Sequence, residues 1–342
     1  MQRKVHCRAC SRGSEHQLPC TLHLASIPPT PSADLPTPGR LFRDRRALPR
    51  PEPGTTLVAE ADLPWFQTLR RHWPEYAVEA GFLVVFLLAA GVVSTWLLSP
   101  SGPGAAVLPD LAVRRLLAGL AMGLVLMAMI YSPWGRRSGT HLNPAITLAY
   151  LRLGKIGRWD ALFYLLAQVA AAVAAVMLLR SGALHLGATQ PSLLAVSIVP
   201  ANELAAFVTE LALSFTAMLL ILFTTNHASW FRWTGVLYGL LVVAIVACAA
   251  PLSGFGMNLA RLLAVDASGV VASANWLNLL PPLLGMQLAV EAYRLLTGRS
   301  QVLCAKLAHN THGKCIFRCQ HPYQTRALAL EAIRRSTDDA QR

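Results

Sequence analysis

Two breaks in otherwise apolar sequence constrain this chain more than any other feature. They are Ser138-Gly139-Thr140-His141-Leu142-Asn143-Pro144-Ala145 and Ser253-Gly254-Phe255-Gly256-Met257-Asn258-Leu259-Ala260-Arg261. Each sets Ser-Gly ahead of Asn-x-Ala, and after each Asn the chain reads as a short apolar helix. A helix of so few turns cannot cross a bilayer, which takes about 20 apolar residues. Two short helices that enter a membrane and stop mark a place where function is built.

Charge-free runs of membrane length surround the breaks, at residues 82–98, 116–135, 161–179, 211–231, 233–260 and 267–290. They predict six transmembrane helices. Hydrophobic residues make up 54% of the 342 and charged residues 14%. A soluble chain could reach that apolar fraction but would not gather it into such blocks. The N-terminal region is basic and Pro-rich, without the apolar core of a cleavable signal peptide, so insertion is expected to rely on the first span.

The net charge of +13 would suit a nucleic-acid partner until its location is counted. Of 30 Lys and Arg, 11 lie in residues 1–74 and 9 in 294–342. Arg136, Arg137, Arg152, Lys155 and Arg158 fall between the second and third spans and Arg232 between the fourth and fifth, whereas 181–203 has no Lys or Arg. By the positive-inside rule, both termini and the basic loops are cytoplasmic, with Arg114 and Arg115 running against the bias on the outer side. The charge is then met by anionic lipid, and no nucleic-acid partner is expected.

Three regions follow. Residues 1–74 hold 11 of the 22 prolines and read as a disordered basic tail. Cys7, Cys10 and Cys20 with His6, His16 and His23 could bind zinc there, although a solvated tail accounts for them more simply. Residues 75–297 form the membrane domain, and 298–342 a cytoplasmic tail with a Cys/His cluster.

The membrane domain repeats itself coarsely, over about 75–182 and 203–297. Glu79 and Glu210 sit in the first helix of each copy; Gly119/Gly123 and Gly235/Gly239 form a Gly-x-x-x-Gly in the second; the Ser-Gly break, an Asn-x-Ala half-helix and a third helix follow. Small residues at that spacing let helices approach closely in lipid. Three spans per copy is an odd number, so the second copy enters from the opposite side and the two breaks meet near the midplane. Carboxylates inside spans are costly and serve a pathway or brace polar backbone, and the matching places of Glu79 and Glu210 suit bracing. Gln168 is a further interior polar group, open to a bracing role or an ordinary interhelical hydrogen bond.

With Glu79, Ser138 to Ala145, Gln168, Glu210 and Ser253 to Arg261 in this order, residues 75–297 resemble the aquaporin, or major intrinsic protein, family in its bacterial form. The resemblance implies an all-α integral membrane fold: six tilted helices plus two re-entrant half-helices in an inverted repeat. It further implies one pore per monomer, a homotetramer and a plasma-membrane location. Asn143, Pro144 and Ala145 in one half, and Asn258, Leu259 and Ala260 in the other, would form the pore centre. The amides of Asn143 and Asn258 would face the permeant as donors, and the carbonyls of Thr140, His141, Leu142, Phe255, Gly256 and Met257 would offer acceptors. The positive ends of the half-helices repel cations and orient water against proton relay.

In the family's selectivity filter, Arg261 takes the arginine position, and Phe255 and Val246 follow from it without a gap. The remaining position falls on Met122 if one residue is inserted in the 131–138 loop, or on Gly123 without a gap. Water-selective members carry His where Val246 stands, so Val246 with Phe255 resembles the branch that also passes small solutes such as glycerol. Leu262 departs from the Asp that often follows the filter Arg in that branch. Leu259 stands where Pro is expected, loosening the preset geometry of the first helical position and adding a backbone donor without a helical partner.

The tail carries a separate signal, with Cys304, His309, His312, Cys315, Cys319 and His321 close together. Disulfides are rare in the cytoplasm, and the spacing could supply a zinc site from Cys304, Cys315, Cys319 and His309 or His312, against the alternative of scattered reduced thiols. No nucleophile–base arrangement or phosphate loop is evident, so an enzyme is not expected, and no other cofactor is implied. The leading expectation is a passive channel for water and small uncharged solutes; the alternative is a non-conducting structural or metal-sensing membrane protein on the same scaffold. Ion-coupled transport would want titratable groups at the midplane, where the mapped pore has only Arg261, near its outer mouth.

Overall fold

The computed structural model describes residues 63–181, 203–227, 229–249, 256–267, 276–297, 302–309 and 315–320, with the side chains of 249, 265–267 and 276–278 excepted. All lie in the larger of two units, residues 38–342. Phe255, His312, His321 and the N-terminal Cys/His residues fall outside the described residues. The described residues are helical and contain no strand.

Helix α1 spans Trp65–Val93 and runs on into a wider π turn, Ser94–Leu98; the short α2 is Pro103–Val107. Helix α3 is Leu111–Tyr131, α4 the six-residue Pro133–Ser138, α5 the nine-residue Pro144–Arg152 and α6 Arg158–Arg180. In the second copy α7 is Glu203–Thr225, α8 Thr234–Ala244 with its π turn Ile245–Ala249, α9 the nine-residue Leu259–Ala267, and α10 Trp276–Thr297. Five of these elements are long and apolar enough to cross a membrane among the described residues. The sixth expected span, α10, has 22 residues but carries Pro281, Pro282, Gln287 and Glu291, which dilute its apolar content.

Packing follows the inverted repeat. Helix α1 lies along α6 within the first copy, and α7 along α10 within the second. The copies meet where α3 crosses α8. A Cβ added to Gly123 would sit 2.7 Å from the Gly239 carbonyl oxygen, and one added to Gly239 would sit 2.9 Å from that of Gly123. Only hydrogen fits on either side, so the two Gly-x-x-x-Gly faces form the seam between the copies. The half-helices pack across the repeat as well as within it: α5 lies on both α6 and α10, and α9 on α6 and, less extensively, on α10.

The first helix starts inside the stretch 1–74 that reads as a tail, at Trp65, and it runs through Pro74. Its first turns are held by distant partners. His72 Nδ1 lies 2.7 Å from Asp160 Oδ1, the Tyr76 hydroxyl donates to the same oxygen at 2.6 Å, and Arg137 Nε donates to Glu75 at 2.7 Å. These buried polar contacts outweigh the hydrogen bond that Pro74 cannot make. Arg114, which runs against the charge bias, is also accounted for: its guanidinium is buried and donates to the Leu97 carbonyl at 3.0 Å, tying α3 to the π turn of α1.

Trp residues stand exposed at helix ends, among them Trp65, Trp96, Trp134, Trp230 and Trp233. Such amphipathic rings suit the headgroup levels of a bilayer.

Candidate pore junction

The chain before α5 is bent in a way side chains resist. Gly139, Thr140 and Leu142 have φ of 97°, 57° and 52°. Two non-glycine residues in the left-handed region store strain, and such strain persists only where its surroundings hold it. The holding groups are visible. Glu79 Oε1 accepts from the Leu142 N–H and, at 3.1 Å, from Gln168 Nε2. The Tyr164 hydroxyl donates to the Ser138 carbonyl at 2.5 Å, and the Thr140 N–H to Ser138 Oγ at 3.2 Å. Glu79, Gln168 and the first break are thus brought together.

Helix α5 starts on Asn143, whose side-chain oxygen accepts from the Ala145 N–H at 3.0 Å, with Pro144 at the first helical position. That is a normal N-cap followed by the one residue whose missing N–H costs nothing there. Helix α9 starts on Asn258 in the same way, its Oδ1 accepting from Ala260 at 3.0 Å. Glu210 Oε1 accepts from the Gly256 N–H at 2.8 Å, so a carboxylate holds the second break as well.

The two starts meet tip to tip. Asn143 Nδ2 donates to the Met257 carbonyl at 2.8 Å, and Asn258 Nδ2 donates to the Leu142 carbonyl at 2.7 Å. Each amide therefore holds the other break in place with one N–H and retains a second. Two of the carbonyls read from sequence as acceptors, those of Leu142 and Met257, thus already accept from an Asn. Leu259 differs from the sequence expectation too. Its extra donor is not left over: the Leu259 N–H donates to Asn143 Oδ1 at 3.3 Å, a bond that proline could not make.

Around this junction the remaining positions separate. Met122 on α3 and Val246 in the π turn after α8 belong to one buried cluster with Leu142 and Ala145. Ala260 is fully buried, and Arg261 lies in the first turn of α9. The matching place after Asn143 is Ile146, fully buried, so an arginine is present on one half only.

The His141 ring lies in a polar and aromatic nest. Its ring stacks on Tyr150 at 5.1 Å and on Phe317 at 5.5 Å. Nε2 lies 2.8 Å from the Ala305 carbonyl and Nδ1 lies 3.0 Å from Thr147 Oγ1. A carbonyl only accepts, which assigns the proton to Nε2 and leaves Nδ1 to accept from Thr147. Ala305 and Phe317 come from the C-terminal tail, and nothing in the linear sequence pointed to their docking here. The only available signal was the apolar character of Val302, Leu303, Ile316 and Phe317 around the cysteines.

In that tail Cys304, His309, Cys315 and Cys319 are brought together, their ligand atoms all within 4.8 Å of one another. Burial pushes the Cys304 thiol well above its ordinary range. Cys315, against the same burial, is drawn well below it by hydrogen bonds with Cys304, Cys319 and His309.

Residues 75–293 match the sequence model of the family described as Major intrinsic protein. The chain is 33% identical over 221 residues to Aquaporin NIP1-4 of Oryza sativa subsp. japonica, covering 63% of this chain and 78% of that protein. To Aquaporin Z of Rhodopseudomonas palustris it is 31% identical over 221 residues, covering 61% of this chain and 92% of that one. To a Glycerol uptake facilitator protein-like 6 of Lactiplantibacillus plantarum it is 30% identical over 181 residues, covering 52% and 83%. With a multi-pass helical fold, an inverted repeat and two capped half-helices meeting at their Asn residues, the chain belongs to the major intrinsic protein family.

Proposed function

We propose that the chain is a passive channel for water and small uncharged solutes of glycerol size, with no chemical step. The observation that carries this reading is the tip-to-tip junction of α5 and α9, where each Asn amide donates to the other break's carbonyl and retains a second N–H. Those two N–H groups and the carbonyls of Thr140 and His141 in the strained turn are donors and acceptors for a single file of permeant. Irregular backbone is tolerated at membrane depth where it lines such a wet path. Each half-helix start carries about half a positive charge, so two of them together, with Arg261 beyond, oppose cations and break a proton relay.

Val246, shorter than histidine, offers an apolar surface, and Arg261 supplies a hydroxyl-binding group. A small polyol has those two faces. Similarity to a protein named as a glycerol uptake facilitator, beside proteins named as aquaporins, supports this breadth. The reading extends to a homotetramer in the plasma membrane with both termini cytoplasmic; the tail donates to the Lys155 carbonyl, so it shares one side with the basic loop of Arg152, Lys155 and Arg158.

Light-scattering of chelator-treated proteoliposomes in a glycerol gradient tests it. Rapid shrinkage followed by re-swelling is expected, and Val246→His should slow the re-swelling more than the shrinkage. Wild-type vesicles that shrink fast and stay shrunken would make the pore water-selective.

A further inference from the structure

The tail is docked on the very turn that leads into α5. The Leu307 N–H donates to the Gly139 carbonyl at 3.2 Å, and the Ala305 carbonyl accepts from His141 at 2.8 Å. The Arg318 N–H donates to the Lys155 carbonyl at 3.0 Å, beyond the end of α5. On the other side, the Leu303 N–H donates to Asn226 Oδ1 at 2.6 Å, just past the end of α7. Lys155 and Gly139 belong to the first copy and Asn226 to the second, so the tail straddles the boundary along which a pore between the copies opens. Ala305 and Leu307 are at most 1% exposed.

The same segment holds the thiol cluster. Cys304 Sγ and Cys315 Sγ are 3.6 Å apart, and His309 Nε2 and Cys319 Sγ 3.0 Å. Zinc–sulfur bonds of about 2.3 Å in a tetrahedron place sulfurs roughly 3.8 Å apart, whereas a disulfide needs about 2.05 Å. Three thiols also leave one over from any single disulfide. Three thiolates and a neutral imidazole around a divalent ion carry one net negative charge, and the buried Lys306 beside Cys315, with Lys155 near Cys304 and Cys319, offsets it.

We propose that Cys304, His309, Cys315 and Cys319 bind one zinc ion, and that the zinc-closed loop is a plug seated on the mouth of the pore at the Gly139–His141 turn. This rests on the channel reading above. The ion joins residues 304 and 309 to 315 and 319, and so holds Ala305 and Leu307 against the turn from one side and Phe317 from the other. Without it, those two stretches are no longer cross-linked to each other, and the mouth opens.

The test measures zinc content and water permeability of full-length protein in proteoliposomes. Wild type is expected to hold about one zinc per chain, and cobalt in its place should give the visible absorption of a tetrahedral thiolate site. Removing zinc with a strong chelator should raise permeability about tenfold, the response of a plug that keeps the pore closed ten to one. A Cys315→Ser/Cys319→Ser variant should hold no zinc and conduct at the raised level with or without chelator. Phe317→Ala, which spares all four ligands, should keep zinc and still conduct at the raised level. Zinc-free wild type that gains none on dialysis against zinc overturns the site. Zinc-loaded wild type whose permeability ignores both the chelator and Phe317→Ala overturns the plug and leaves the channel standing. No permeability above empty vesicles in any form overturns the channel, and the plug with it.

Discussion

Half-helix α5 begins at Asn143-Pro144 and half-helix α9 at Asn258-Leu259, and the two are finished by different means. Each Asn caps its own helix and donates to the opposite break. Each break is also held by a carboxylate, Glu79 on the first and Glu210 on the second; among the described residues the two then differ. The first break is bent through two left-handed non-glycine residues and is gripped by Glu79, Gln168, Tyr164 and the docked tail. The second carries the arginine, and its leucine returns a backbone bond to Asn143. An inverted repeat therefore sets where two helix starts meet, while single residues decide how each half is braced and which half carries the arginine.

The sharpest way to break that comparison is to remove the brace on the first half. Glu79→Leu leaves the Leu142 N–H and Gln168 Nε2 without a common buried acceptor, at a cost of about 1–3 kcal/mol for each. Thermal unfolding in detergent should show a loss larger than that of Gln168→Leu, which removes only one of the two donors. Equal losses would mean that Glu79 does not hold the turn.

The seam between the copies should be less one-sided. Gly123→Leu and Gly239→Leu each drive a side chain into the backbone of the facing helix, and should each lower stability by about 1–3 kcal/mol or prevent assembly. A tolerated leucine at either place would contradict the α3–α8 crossing.

Arg261 sharpens the functional side of the contrast, since Ile146 stands at its counterpart. Arg261→Ala should raise the flux of solutes larger than glycerol, and of cations, about tenfold, as expected when a fixed charge worth about 1.4 kcal/mol leaves a constriction. Unchanged water, solute and ion permeability in an equally inserted variant would remove Arg261 from the filter.

The smallest effect belongs to Leu259→Pro. Proline removes a 3.3 Å bond to Asn143 but also narrows the unfolded ensemble by about 0.4–1 kcal/mol, so stability should stay within about 0.5 kcal/mol of wild type. A drop well beyond that would show that the cross-junction bond carries weight for which proline cannot compensate.

The junction was legible in the sequence because its signals are local: an Asn cap, a short apolar run and a preceding Ser-Gly are neighbours in the chain. Gly119/Gly123 and Gly235/Gly239 announced close approach, though not that they face each other. What escaped was long-range. The first helix extends back to Trp65 because His72, Glu75 and Tyr76 find Asp160 and Arg137, partners no Pro-rich stretch advertises. The spare donor of Leu259 found Asn143 for the same reason. The tail's cysteine spacing was readable, but its seat on Gly139, His141, Lys155 and Asn226 exists only in the fold.

The central claim is that a solute path runs through the Asn143–Asn258 junction and past Val246. Its most direct test is the osmotic water permeability of chelator-treated proteoliposomes containing wild type or Val246→Trp, each checked for equal insertion and helical circular dichroism. Wild type should conduct well above empty vesicles, and the indole of Val246→Trp should return the flux to the empty-vesicle level. A folded, equally inserted Val246→Trp that conducts like wild type, or a wild type indistinguishable from empty vesicles, would contradict the account.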